Sequence, residues 1–236
     1  VEEVPNTLIG EVRGNAFRVG VYRTKSKKIL KEFKSKLREK DADIKIKSQV
    51  LTASNVIFPE VSKDTLMSYG KVLEVSDTEN DFYAIFMDNT KSLSAEDVAA
   101  FVAIKSFLFD FANEQSKEAS EDLYKKESDN YKDLKIDLKS EIKDKEKAEK
   151  GIVKTKKKLV NTEFQLEKLN GISDITKDII DKKESADKKI VNYKKDIRDM
   201  EYDIVESEKN QAELKKKISA AEKLVKEAKK AVNVYK

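Results

Sequence analysis

The densest set of potential ligands in the chain is the run Asp77-Thr78-Glu79-Asn80-Asp81, with Asp88 eleven residues after Asp77. Carboxylates at alternate positions suit a hard cation such as calcium, because several oxygens must converge on it. The run departs from a calcium loop of the EF-hand type. Phe82 stands where the turn glycine is required, Asp88 where the closing glutamate is required, and strand-like patterns flank it instead of helices. A solvated hairpin turn is the plainer reading, and no metal site is assigned.

Anion binding is the second chemistry on offer. Arg13 to Lys47 carries thirteen basic and four acidic residues, whereas Glu60 to Asp88 carries two basic and seven acidic. The cations Lys27, Lys28, Lys31, Lys34, Lys36, Arg38 and Lys40 would coat one helix and could meet phosphate or an acidic partner. Phe17 and Tyr22, however, alternate onto opposite faces of a strand, so they form no stacking platform for bases. Nucleic acid is therefore not favoured as a partner. Lysine clusters at Lys154 with Lys156 to Lys158, and at Lys182-Lys183 with Lys188-Lys189, are interleaved with acids and suit exposed helix positions.

Catalytic chemistry finds little to use. With no cysteine and no histidine, thiolate nucleophiles, imidazole bases and the usual zinc ligand sets are excluded. Gly10-Glu11-Val12-Arg13-Gly14 lacks the setting of a dinucleotide fingerprint and reads as a turn. No cofactor is expected, and the chain reads as non-enzymatic. What remains is a cluster of apolar residues around a predicted turn: Leu166, Leu169, Ile172 and Ile175 exceed what a free loop needs, and either close the hairpin or, as the sharper alternative, meet a protein partner.

These residues must be positioned by long helices. Apolar residues recur every three and four positions from Ala186 to Tyr235, in two seams. One runs Ile190, Ile197, Ile204, Gln211, Ile218, Val225, Val232; the other runs Ala186, Tyr193, Met200, Ser207, Leu214, Ala221, Ala228, Tyr235. Such a stripe, sustained over about seven heptads, predicts a coiled coil. A weaker seam precedes it through Tyr124, Tyr131, Leu134, Leu138, Ala148, Ile152, Leu159, Leu166 and Leu169. Between them Asn170-Gly171 tolerate the left-handed conformation that ends a helix, and Ser173 is a reasonable cap for the next. The chain composition, 40% charged with only two prolines and six glycines, fits solvated helical faces.

The first ninety or so residues differ, holding both prolines and four glycines among short runs of period two. Strands are predicted at Leu8 to Val12, Phe17 to Tyr22, Ile44 to Val50, Leu66 to Val75 and Phe82 to Met87, with the first hairpin turning at Arg13-Gly14-Asn15. Ile29, Leu30, Phe33 and Leu37 share one side of a helix from about Ser26 to Lys40.

The predicted architecture is therefore α+β. A small antiparallel-sheet head with one helix (1–91) precedes an antiparallel two-helix coiled-coil hairpin (92–236), with helices at about 94–169 and 173–236 and a turn at 170–172. Head and hairpin are expected to pack through Phe101, Ile104, Phe107, Leu108 and Phe111 with Val232 and Tyr235. Pairing outward from Gly171 sets Tyr193 near Ala148 and Tyr235 near Phe107.

The function expected is that of a structural or interaction protein meeting a protein partner through the hairpin tip or the head, with homo-oligomers an alternative geometry. A holdase-type chaperone with helical arms and a nucleic-acid-associated coiled coil are the rival readings. No run approaches the ~20 apolar residues of a membrane helix. The opening on Val1 instead of Met implies removal of a signal peptide, a tag or an upstream segment, and export from a bacterial cytoplasm is favoured over cytoplasmic residence.

Overall fold

The structure, a computed structural model, describes residues 1–88 and 91–235. Asn89, near which the sequence divides, and Lys236 lie outside the described residues. The chain forms two compact units: Val1–Lys125 together with Ala228–Lys236, and Lys126–Glu227.

In the first unit, seven strands make one antiparallel sheet. They are β1 (Glu2–Ile9), β2 (Val12–Tyr22), β3 (Asp43–Lys47), β4 (Val50–Val56), β5 (Leu66–Ser76), β6 (Glu79–Asp88) and β7 (Lys91–Ser92). Their order is β1-β2-β6-β5-β4-β3, with β7 paired to β6. The helix α1 (Ser26–Arg38) joins β2 to β3. Its buried residues are Ile29, Leu30, Phe33 and Leu37, the four set apart by the 3.6-residue period.

Two turns differ from expectation. The first hairpin closes at Gly10-Glu11, since Ile9 pairs with Val12, and Gly14 is drawn into β2. Gly10 takes φ +63, the left-handed conformation that glycine adopts without a Cβ penalty. The stretch Ile44 to Val50 is two strands' worth of chain: Ser48 and Gln49, both at positive φ, form a tight turn between β3 and β4.

The core lies on one face of the sheet. Phe17, Val19 and Val21 of β2 and Phe82, Ala84 and Phe86 of β6 alternate inward against α1 and the opening turns of α2 (Val98–Asn170). The opposite face holds a smaller cluster of Ile9, Ala16 and Ile85. Helix α2 starts at Val98 and not Ser94. Ser94 and Asp97 bond to each other first, the Asp97 carboxylate accepting from the Ser94 amide at 3.2 Å, while Asp97 O accepts the Phe101 amide at 2.8 Å.

The second unit is the paired stretch of α2 and α3 (Lys177–Asn233) between residues 126 and 227. Opposed ion pairs fix it as antiparallel: Lys145 with Glu208, Lys156 with Glu201, Glu163 with Lys194. Along both helices every residue assigned to the seam is buried or half-buried. The register differs from that expected. Ala148 lies between Lys145 and Lys156, and so faces the segment 201–208 and not Tyr193. The cause is a later restart: Ser173 and Asp174 stay in the loop, and Thr176 O accepts the Ile179 and Ile180 amides to open α3. Each residue added to the loop moves all later partners along the helix.

Candidate functional site

The distal end of the second unit is built from the last turns of α2, the loop 171–176 and the first turns of α3. Helix α2 ends without a left-handed residue, since neither Asn170 nor Gly171 has positive φ. Instead the Gly171 amide still bonds Glu167 O at 3.2 Å and the Ile172 amide bonds Leu169 O at 3.4 Å. A Cβ at Gly171 would meet only ordinary contacts at 3.6 and 4.0 Å.

The four tip residues separate into two pairs. Leu166 and Leu169 are half-buried in the seam. Ile172 and Ile175 are exposed, at 42% and 68%. Ile180 and Phe164 add apolar surface within a turn or two of the loop. Beside the loop lies a cleft of about 490 Å³, with Leu169, Ile172 and Tyr193 among its lining and Lys168, Lys182 and Lys189 contributing its cations. Lys168 Nζ sits 4.4 Å from the Phe164 ring centre, and Lys182 pairs with Asp178 at 2.6 Å.

Five of the expected packing residues do meet. Within the first unit Phe101 packs on Phe17, Phe107 on Phe33 and Phe58, and Phe111 on Phe33 and Phe82, with ring centres 5.3 to 6.1 Å apart. Ile104 and Leu108 are fully buried among them. Val232 and Tyr235 are half-buried in the same unit. Tyr235 neighbours Tyr22 closely enough to influence its ionisation, and no ring contact joins it to Phe107 among the described residues. That follows from the register. The Tyr22 amide is itself bonded to Ser116 Oγ at 2.9 Å, well along α2 from Phe107.

The other candidates disperse. Asp77 sits in the β5–β6 turn, while Asp88 pairs with Leu66 at the opposite end of that hairpin, and Asp81 meets Arg18 at 3.4 Å. Among the described residues no three acidic side chains converge to hold an ion. The cationic side of α1 is partly neutralised by Lys28–Glu118 at 3.1 Å, Lys36–Glu114 at 2.9 Å and Lys40–Glu60 at 3.9 Å. The hydrogen bond to Glu114 holds the Lys36 ammonium above its usual value. Phe17 is fully buried, which removes it as a stacking surface.

Surface outside the seam was not anticipated. Val153, Val160 and Val191 are 55%, 62% and 64% exposed on the flank of the second unit. The signal was available in principle: these are apolar residues off the heptad seam, as are Ile136, Tyr202 and Val205 elsewhere on the same helices. Midway along the unit, Ser207 occupies a seam position and donates to Glu141, with oxygens at 2.9 and 3.0 Å, while Gln211 approaches both.

Compared with known proteins, the chain matches no protein-family profile, no curated protein and no solved structure. No helix among the described residues is long and apolar enough to cross a membrane.

Proposed function

We propose that this chain is a non-enzymatic structural and interaction protein, whose helical hairpin offers a protein partner an apolar tip while the α+β unit is a second folded part of the chain. The single observation that carries this reading is the exposure of Ile172 and Ile175 on the loop at the end of the hairpin. Leu166 and Leu169 already fill the seam at that level. Apolar side chains left in water at such a point are commonly contact residues. Some forty-five residues of α2 within the second unit give that unit a length of roughly 70 Å at 1.5 Å per residue, so it also serves as a spacer between its two ends.

The test is a photo-crosslinking residue at position 175, compared with one at the exposed position 202 of the same unit. A discrete adduct at 175 that disappears in an Ile172→Ser, Ile175→Ser background supports the tip as the contact. Equal labelling at both positions, unaffected by those substitutions, rejects it. The exposed flank valines favour one second reading, a holdase. That reading requires the intact chain to suppress aggregation of an unfolded client whatever the charge of that client, and to lose this when residues 150–190 are trimmed.

A further inference from the structure

The flank of the second unit carries a basic-rimmed apolar groove distinct from the tip. On α2, Val153 and Val160 stand two turns apart, and Phe164 follows one turn later, 56% exposed. On α3, Val191 stands across the groove from Val160, above Leu159 and the buried Ile197. Two adjoining hollows share Lys156 and Val160, one between α2 and α3 and the other on the surface of α2 alone. Their charged lining consists of Lys156, Lys157, Lys194 and Arg198, with no carboxylate.

The surrounding charge has the same sign. Residues 150–168 hold six lysines against two glutamates, and residues 177–200 hold eight cations against six acids. That concentrates in this stretch more positive charge than the whole protein carries net, +4. Lys156 and Lys194 touch Glu201 at 3.8 Å and Glu163 at 3.3 Å, both pairs solvent-exposed. Lys157 and Arg198 make no ion pair among the described residues. Exposed pairs of this kind hold each other weakly, so an incoming carboxylate can share them.

We infer that this groove seats an acidic amphipathic helix from a partner protein as a third helix beside α2 and α3. The shape selects a helix: a trough between two helices accepts the ridge of another, with apolar side chains at i, i+3 or i+4, and i+7 meeting Val160 and Val191 in the trough and Val153 on the adjoining surface of α2. Charge selects an acidic one, because glutamates flanking that ridge would reach Lys156, Lys157, Lys194 and Arg198. A second copy of this chain would bring the same cations against them. A bilayer is served less well, since the exposed apolar residues here are three valines and the single ring of Phe164, too little of the continuous bulky face that interfacial helices insert. The inference rests on the reading of this unit as an interaction surface, but places a contact at a different site from the tip.

The experiment uses the full-length chain and a synthetic peptide that forms a helix with leucines at i, i+3, i+4 and i+7 flanked by glutamates. A control peptide carries lysines in place of the glutamates. Fluorescence anisotropy should show the acidic peptide binding and the basic one not, with affinity falling as salt rises. Lys157→Glu with Arg198→Glu should weaken binding by about tenfold or more, as should Val160→Ser with Val191→Ser. Circular dichroism confirms that each variant stays folded. Ile172→Ser with Ile175→Ser should leave peptide binding unchanged, and that variant separates failure of the groove from failure of the tip. Absent binding, equal binding of both peptides, or indifference to the flank variants overturns the inference. So does retention on anionic vesicles that the same variants abolish in place of peptide binding, or a flank-dependent dimer in sedimentation.

Discussion

Gly151 of α2 and Met200 of α3 share one space: a Cβ built on Gly151 would fall 2.6 Å from Met200 Sδ. Glycine inside a helix forgoes roughly 0.5–1 kcal/mol relative to alanine, and here the thioether occupies the volume that alanine would need. Gly151→Ala alone should therefore yield no gain in urea denaturation. In a Met200→Ala background it should stabilise by about 0.5–1 kcal/mol. Additive effects in the four-variant cycle would show that the two residues do not meet.

The polar layer at Ser207 yields a second expectation. Ser207→Leu leaves the Glu141 carboxylate facing an apolar side chain and should destabilise by about 1–3 kcal/mol. Adding Glu141→Leu should restore that stability or exceed it, while loosening the register, since polar seam residues specify alignment at a cost in stability. Thermal melts measure the first effect. Disulfide trapping at non-native registers measures the second.

Register itself can be read directly. Spin labels at positions 156 and 201 should give short intramolecular distances, because Lys156 and Glu201 already touch. Labels at 148 and 193 should lie apart by on the order of 15 Å along the axis, at 1.5 Å per residue. The opposite pattern would restore a turn at residues 170–172.

Tyr22 should titrate late. Deprotonation would place a phenolate beside the Glu79 carboxylate, and that repulsion, followed by partial burial, holds its pKa above the usual 10.0. A raised value means the folded state grips the proton more tightly than the unfolded one. The resulting stabilisation is complete below the ordinary tyrosine pKa and is lost as pH rises through the folded value. The ultraviolet phenolate absorbance lost in Tyr22→Phe should titrate above the ordinary tyrosine value, and Glu79→Gln should lower that midpoint.

In the first unit Phe111 is 2% exposed and packs edge-on against both Phe33 and Phe82. Phe111→Ala should cost about 3–5 kcal/mol, the usual loss for a buried ring, while Phe109→Ala, at a ring 53% exposed, should change chemical-denaturation midpoints little.

Periodicity made much of this fold legible. The α1 core positions, the sheet class and both seams follow from spacing alone, because one buried face imposes its period on the residues that fill it. Turns without glycine left no such trace. Ser48 and Gln49 adopt positive φ under the constraint of the two strands they join. The register is offset from the one spacing predicts because helix ends are set by a few local hydrogen bonds around Thr176, and a displacement there shifts every pair behind it. At the tip, spacing located the apolar residues but not which of them face water; Leu166 and Leu169 turn inward because they sit on the seam, Ile172 and Ile175 do not. The flank groove has no periodic signature, because its valines fall outside the heptad seam among positions that mostly face solvent.

The unit that contains the sheet is assembled from chain on both sides of the hairpin, residues 1–125 and 228–236. A single backbone cut in the loop 171–176 would thus yield two polypeptides that each hold a piece of it. The unbroken loop supplies those pieces to one another at a high effective concentration. Severed there, the molecule becomes a two-fragment complementation system, whose reassembly depends on dilution where the parent's folding does not.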